Sequence, residues 1–318
     1  MEYEMIRAYA PASIGNVSLG FDLLGAALKP VDGSLLGDEV EVSQAESFSL
    51  SIKGTFAHKL PPGVDDNIIT HSYHFFSERL KQRGKPVVPV AMVLYKNLPI
   101  GSGLGSSASS IVAALHGLNA FYGEPFSKTE LLEMMGELEG QISGSVHYDN
   151  VAPSYLGGLV LMAQAGDKVA LSLPVFDDWY WVVCYSGIKV STAEARRILP
   201  KTVPLADTLT FGRQLGVFVH ALHCGDRALA GAMMQDVIAE PYRKSLLTGF
   251  DEARAFTQQQ GAIAFGISGS GPTVFAVTDN LDTAKRIETW LGEHYIQNSE
   301  GFSRVCRLDL GGSQALKV

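Results

Sequence analysis

The segment from Pro99 to Ser109 carries the residues of this 318-residue chain that are best placed to do chemistry. Three glycines alternate with other residues there, and two serines then open an apolar run. Glycine permits positive φ, so backbone N–H groups can converge on one point, and a helix starting there adds the positive end of its dipole. The pattern predicts a phosphate cradle formed by Pro99, Ile100, Gly101, Ser102, Gly103, Leu104, Gly105, Ser106, Ser107, Ala108 and Ser109.

This loop differs from two familiar nucleotide-binding loops. It lacks the lysine of the Gly-x-x-x-x-Gly-Lys-Ser/Thr motif, and Ser106 stands where a dinucleotide-binding Gly-x-Gly-x-x-Gly turn requires glycine. We therefore expect a phosphate loop of a third kind, in which Mg2+ supplies the missing positive charge. A glycine-rich hairpin without a ligand is the alternative.

Acidic residues after the loop could hold that cation. Glu139 lies towards the C-terminal end of a predicted helix, where a carboxylate is disfavoured unless a cation compensates it. Mg2+ bound by Glu139 and the Ser107 hydroxyl would do so, and Glu137 is an alternative that spacing leaves open. Glu139, His147 and Asp149 also resemble part of a two-histidine, one-carboxylate site, although this set has one histidine. For His147, a structural role and a substrate contact are equally open.

Small and polar residues near the N-terminus could hold a polar substrate. Gly15 and Gly20 allow close approach of the backbone, while Asn16 and Asp22 offer an amide and a carboxylate. A turn closed by the side chains of these residues is the alternative.

Two arginines in the second half could form a clamp for a carboxylate. Arg196 follows a helix start capped by Ser191 or Thr192, and Arg243 lies further along the chain. For either arginine taken alone, a solvated surface residue is the favoured interpretation. A second glycine-rich turn over 266–273 could pack beside the first and order the phosphates, or be a tight hairpin.

The elements that must position these residues can be predicted from hydrophobic spacing. The predicted helices are 67–83, 107–122, 128–143, 192–199 and 282–295, with further helices across 205–258. Strands are predicted at 5–10, 38–42, 48–52, 87–94, 156–161, 179–185, 262–267, 273–277 and 302–308, and those at 38–42 and 48–52 are expected to pair. Ser127 and Glu130 predict a capping box before the third helix. The chain length favours two domains, which we place at 1–165 and 166–318.

Composition excludes several classes of protein. A hydrophobic content of 46% and a charged content of 18% indicate an ordinary globular chain. The net charge of −8 opposes binding of nucleic acid. Three widely spaced cysteines favour neither a disulfide framework nor a zinc site. We see no signal peptide and no run able to span a bilayer, so we expect a cytoplasmic protein without a membrane partner.

Three motifs in this order resemble those of the GHMP kinase superfamily. They are the early Pro-x-x-x-x-x-Asn segment, the central Pro-x-Gly-x-Gly-Leu-Gly-Ser-Ser-Ala loop and the late Gly-x-Ser-Gly-Ser-Gly-Pro-Thr turn, which together extend to Thr273. Within the superfamily, the segments at 16–25, 147–153 and 191–196 are similar to those of homoserine kinases. The resemblance implies an α+β fold with an N-terminal ribosomal-protein-S5-like domain and a C-terminal ferredoxin-like domain, and a homodimer.

The same resemblance implies ATP-dependent phosphorylation of the L-homoserine hydroxyl to O-phospho-L-homoserine, a step towards threonine. Residues 101–109 would hold the ATP phosphates, and Ser107 with Glu139 would hold Mg2+. The amino-acid pocket would be lined by Asn16, Asp22, His147, Asp149, Asn150, Thr192, Arg196 and Arg243. Other family members carry an aspartate where this chain has Asn150, which leaves the catalytic base open. Our hypothesis is that Asp149 orients the substrate and that no side chain removes the hydroxyl proton before transfer.

The charges of the pocket agree with a zwitterionic substrate. Asp22 and Asp149 suit an ammonium group, and Arg196 and Arg243 suit a carboxylate. A sugar or mevalonate would not require both. A kinase for such alcohols, and a sensor without turnover, remain the alternative functions.

Overall fold

The computed structural model describes residues 4–61, 63–143, 146–166 and 168–318. Its strands are β1 (Ile6–Pro11), β2 (Ser13–Gly15), β3 (Leu24–Pro30), β4 (Gly37–Gln44), β5 (Ser49–Lys53), β6 (Val90–Tyr95), β7 (Leu159–Ala165), β8 (Lys168–Leu173), β9 (Tyr180–Tyr185), β10 (Ala264–Ile267), β11 (Val274–Thr278), β12 (Phe302–Leu308) and β13 (Gln314–Lys317). Its helices are α1 (Ile68–Gln82), α2 (Ser106–Phe121), α3 (Lys128–Ser143), α4 (Val151–Leu156), α5 (Thr192–Arg197), α6 (Leu205–Cys224), α7 (Arg227–Met233), α8 (Glu240–Arg243), α9 (Phe250–Gln259) and α10 (Leu281–His294). The mixture of helices and antiparallel strands confirms the predicted α+β class.

The first sheet carries the helix that follows the glycine loop. Its strand order is β13-β1-β4-β6-β5, and only the β5–β6 pair in it is parallel. Helix α2 lies across β1 and β4, and α1 packs against α2. The buried face of α2 contributes Ile111, Leu115 and Leu118 to a core shared with Val40 and Met92 of the sheet. This packing fixes the direction in which the start of α2 points.

The second sheet joins strands from both halves of the chain. Its order is β10-β11-β9-β12-β3-β7-β8, with β2 beside β3. Strand β9 is buried on both faces, because Trp181 and Val183 enter the core beneath α6, whereas Val182 and Cys184 enter the core beneath α10. Strands β3 and β7 therefore share a sheet with β9 to β12, and the domain boundary at residue 165 stays a prediction.

The predicted elements agree with the structure where the sequence pattern is local. Helix α3 occupies the predicted range, and its capping box forms: the backbone N–H of Ser127 donates to Glu130 Oε2 at 2.9 Å, and that of Glu130 donates to Ser127 Oγ at 3.4 Å. The predicted pairing of the strands at 38–42 and 48–52 is wrong. Strand β6 lies between them, because the α1 crossover returns the chain parallel to β5. In the described parts of the chain, no helix is both long and apolar enough to cross a bilayer.

Candidate active site

The glycine loop turns tightly between β6 and α2. Gly101, Gly103 and Gly105 have φ values of +69°, +83° and +64°, and Gly105 is the residue that caps α2. A Cβ at Gly103 would lie 2.3 Å from the carbonyl oxygen of Ser268, which is closer than any carbon atom approaches. The loop therefore requires glycine both for its backbone angles and for its packing.

The second glycine turn, between β10 and β11, packs directly beside this loop. Ser268 Oγ donates to the carbonyl oxygen of Gly103 at 2.6 Å. The N–H of Thr273 donates to the carbonyl oxygen of Ser102 at 3.0 Å. The N–H of Gly269 donates to the carbonyl oxygen of Gly15 at 2.7 Å. The expectation that this turn packs beside the first is confirmed, and the early, central and late motifs meet at one place.

A hydroxyl and a carboxylate meet at the start of α2. Ser107 Oγ donates to Glu139 Oε2 at 2.8 Å. Burial raises the pKa of Glu139, while the hydrogen bond from Ser107 and the positive charge of Lys96 oppose this rise. Glu137 instead pairs with Arg79 where both side chains are partly exposed. The geometry thus favours Glu139 over Glu137 as a partner of Ser107.

Asp149 and Asn150 lie beside the early motif. Asn150 Oδ1 accepts from Ser13 Oγ at 2.9 Å, and its Nδ2 donates to Asp149 Oδ2 at 3.2 Å. A Cβ at Gly15 would lie 2.5 Å from Asp149 Oδ2, so the backbone approaches this carboxylate closely. Burial, followed by the negative charges of Asp22 and Glu139, raises the pKa of Asp149 from 3.8 to about 7. A cation next to Asp149 would relieve this repulsion.

Asp22 forms an ion pair with Arg196 beside this region. Both carboxylate oxygens of Asp22 lie 3.1 Å from one guanidinium nitrogen of Arg196. The side chains are 30% and 42% exposed respectively, so solvent reaches the pair. Asn16, at φ +65°, accepts from the N–H of Asp22 at 3.0 Å through Oδ1. Asn16 thus closes the turn that presents Asp22, which matches the structural alternative for this segment.

Arg243 is buried and held by backbone oxygens. Its side chain donates to the carbonyl oxygens of Ala195 at 3.2 Å and Gly269 at 2.7 Å. The guanidinium lies 5.0 Å from the ring centre of Phe21, which also neighbours Arg196 at 5.9 Å. The surface alternative is wrong for Arg243, which ties α5 to the second glycine turn.

His147 and Thr192 are the remaining residues predicted to bind the substrate. His147 is half-buried; burial lowers its pKa, and the charge of Asp22 opposes that shift. Thr192 Oγ1 lies 3.4 Å from Ser270 Oγ, and Ser191 is the helix cap, accepting from the N–H of Glu194 at 3.4 Å. Among the described residues, no group of three or more His, Cys, Asp or Glu side chains is arranged to hold a metal ion. The alternative metal site formed by Glu139, His147 and Asp149 is therefore not found there.

Three neighbours of the site were missed in the sequence. Ser13 and Phe21 lie inside the early motif. Neither residue type indicates that Ser13 would donate to Asn150 or that the Phe21 ring would lie against Arg243. Lys96 precedes the loop and is completely buried. Its signal was a charged residue directly after the apolar strand β6, a position where a lysine needs a partner.

The comparisons with known proteins agree with this geometry. The model of the GHMP kinases N terminal domain matches residues 67–158, and that of the GHMP kinases C terminal domain matches residues 218–297. The crystal structure of homoserine kinase from Cytophaga hutchinsonii superposes with a TM-score of 0.88 at 32% identity, covering 98% of both chains. Mevalonate kinase from L. major, solved in complex with R-mevalonate, has a TM-score of 0.68 at 16% identity, covering 96% of this chain and 97% of that one, and shows the shared fold. This chain belongs to the GHMP kinase family and has its two-domain fold.

Proposed function

We propose that this GHMP kinase transfers the γ-phosphate of ATP to the side-chain hydroxyl of L-homoserine. The observation that carries the proposal is the partly exposed Asp22–Arg196 ion pair, 3.1 Å long, in which Asp22 belongs to the early motif. Its two members offer one negative and one positive charge to a molecule entering between them. The 32% identity to a homoserine kinase over 98% of the chain supports the same substrate.

A zwitterion can replace this ion pair without leaving either charge alone. The ammonium group of homoserine would take the place of the guanidinium at Asp22, and its carboxylate would take the place of Asp22 at Arg196. Each charge of the pair would then keep an opposite charge beside it in the complex. Mevalonate carries only a negative charge and a sugar carries none, so either would leave part of the site unmatched.

The phosphate side of the reaction is assigned to backbone groups. Residues 101–109 would hold the ATP phosphates through N–H groups and the start of α2. Ser107 and Glu139 would hold Mg2+, since hydroxyl and carboxylate oxygens are the ligands that this ion prefers. Burial raises the pKa of Glu139, and a cation bound beside its carboxylate would oppose that rise. Bound Mg2+ supplies positive charge to the phosphoryl oxygens.

The acceptor side needs orientation more than proton removal. In phosphoryl transfer the transition state is loose, so the attacking hydroxyl loses its proton late. Asp149 would bind the ammonium group and aim the hydroxyl, while Asn150 holds Asp149 through the 3.2 Å hydrogen bond. This arrangement keeps the hypothesis that no side chain removes the proton before transfer.

The decisive experiment measures ADP release with L-homoserine and with L-serine, L-threonine, mevalonate and galactose as comparison acceptors. We expect release that depends on L-homoserine, formation of O-phospho-L-homoserine by mass spectrometry, and loss of activity when EDTA removes Mg2+. Release with mevalonate or galactose in place of L-homoserine would identify a different substrate in the same family. Nucleotide binding without ADP release for any acceptor would indicate a sensor.

Three further expectations accompany this proposal. We infer a cytoplasmic homodimer whose product enters threonine biosynthesis. Light scattering of the purified protein tests the dimer, and rescue of a threonine-requiring strain that lacks its own homoserine kinase tests the pathway. A monomer, or failure to rescue despite homoserine-dependent ADP release, would contradict the respective expectation.

A further inference from the structure

A buried ion pair lies directly beneath the glycine loop. Lys96 follows β6 and Asp38 lies in β4, and their side chains are 3% and 0% exposed. A buried pair of this kind seldom stabilises a protein more than apolar side chains of similar volume would. Its presence at this position therefore calls for a role other than stability alone.

Asp38 holds the chain where it enters the loop. Its Oδ1 accepts from the backbone N–H groups of Asn97 at 2.8 Å and Leu98 at 2.9 Å. Its Oδ2 accepts from Lys96 and, at 2.6 Å, from Ser110 Oγ. The four acceptor positions of the carboxylate are thus all used.

Lys96 holds the chain where it leaves the loop. Its Nζ donates to Asp38, to the carbonyl oxygen of Ser106 at 2.9 Å and to Ser110 Oγ at 3.0 Å. Ser106 is the first residue of α2. Because an ammonium group has three N–H donors, none is left for a phosphate.

We propose that Asp38 and Lys96 are positioning residues that fix the two ends of the phosphate loop, and that Lys96 is not itself a phosphate ligand. The pair joins Asn97 and Leu98, just before the glycines of the loop, to Ser106, the first residue of α2. Its charges cancel, so attraction for phosphate is left to the loop N–H groups and the bound cation. Fixing N–H groups in advance is what makes them effective towards a phosphoryl group. The inference rests on the proposed assignment of residues 101–109 to ATP.

Two variants test this role. Lys96→Met removes the ammonium group, and the paired Asp38→Asn, Lys96→Met variant leaves no buried charge unpaired while the Asn oxygen can still accept from Asn97 and Leu98. We expect the KM for ATP to rise about tenfold or more in both, while the KM for homoserine changes less than about twofold. Hydrogen exchange of the N–H groups of residues 101–107 should also become faster in the protein without ATP.

The matched control lies at the opposite end of α2. Asn119 is buried, and its side-chain amide accepts from the N–H of Phe126 and donates to its carbonyl oxygen, both at 3.1 Å. Asn119→Ala should lower the melting temperature but leave the KM for ATP and the exchange of the loop unchanged. If Lys96→Met does not fold, Ser110→Ala, which removes one hydroxyl from the network, replaces it beside the paired variant.

The possible results separate this inference from the proposed function. Unchanged KM for ATP and unchanged loop exchange in the variants would overturn the positioning role, as would an equal rise in KM for ATP in Asn119→Ala. If the wild-type protein does not bind ATP, the assignment of the loop fails first, and this inference fails with it. Faster exchange confined to the loop, together with a selective rise in KM for ATP, would support the inference.

Discussion

The proposed phosphate loop and the proposed acceptor region are built in opposite ways. The loop would bind phosphate through backbone N–H groups, and its Gly103 packs against the backbone of the second glycine turn. The acceptor region presents charged side chains from four separate segments, of which Asp22 and Arg196 are partly exposed. A site made of backbone depends on shape, whereas a site made of side chains depends on charge.

This difference implies two kinds of sensitivity. Adding a single carbon atom to the loop displaces packed backbone, which cannot move without its neighbours. Removing the charge of Asp22 or Arg196 should leave the fold nearly intact, because a solvent-exposed ion pair contributes little to stability. Substitutions in each region can therefore test this difference.

Gly103→Ala should have the largest effect. The new Cβ would lie 2.3 Å from the carbonyl oxygen of Ser268, at a backbone φ of +83° that alanine rarely adopts. We expect turnover to fall about a thousandfold, or about 4 kcal/mol, as measured by ADP release. Gly212→Ala is the control, because a Cβ there, in α6, meets nothing within 4 Å. Near-normal turnover in Gly103→Ala would show that the loop shape is not critical.

Asp149→Asn should change how stability depends on pH. Because the pKa of Asp149 is raised from 3.8 to about 7, the folded protein retains a proton that the unfolded chain has lost over that interval. The wild-type protein should therefore lose stability as pH rises through this interval, relative to the variant, by about 2–4 kcal/mol. Urea unfolding of both proteins between pH 4 and pH 8, without ligand, measures the difference. Parallel stability curves would contradict the raised pKa.

Arg196→Met should weaken substrate binding with little effect on folding. Loss of a charge-assisted contact to the substrate carboxylate should raise the KM for homoserine roughly thirtyfold, which corresponds to about 2 kcal/mol of binding free energy. The free energy of unfolding should change by less than about 1 kcal/mol, since both partners of the ion pair are partly exposed. The neighbouring exposed Arg197, changed to Met, serves as the control. An unaltered KM for homoserine would remove Arg196 from the pocket.

Asn150→Ala should have the smallest effect on turnover. The substitution removes the hydrogen bonds to Asp149 and Ser13, so Asp149 loses a support while its own carboxyl group is unchanged. We expect turnover to fall about tenfold with little change in the KM for homoserine. A fall of several orders of magnitude at unchanged homoserine affinity would assign Asn150 a direct catalytic role.

The sequence by itself determined the features that depend on neighbouring residues. The alternating glycines of the loop, the capping box at Ser127 and Glu130, and the range of α3 all follow from contacts within a few residues. Such contacts are dictated by backbone freedom and by helix ends, so their signals are present in short stretches of sequence.

Only the tertiary structure decided the features that join distant segments. It placed β6 between β4 and β5, paired Ser107 with Glu139 rather than Glu137, and brought Asp22 to Arg196 across 174 positions of chain. It also buried Arg243 and turned Lys96 inwards onto Asp38. A charged residue has the same identity whether it faces solvent, a ligand or a buried partner. Which of these it meets depends on how helices and sheets pack, and that packing is a property of the whole chain.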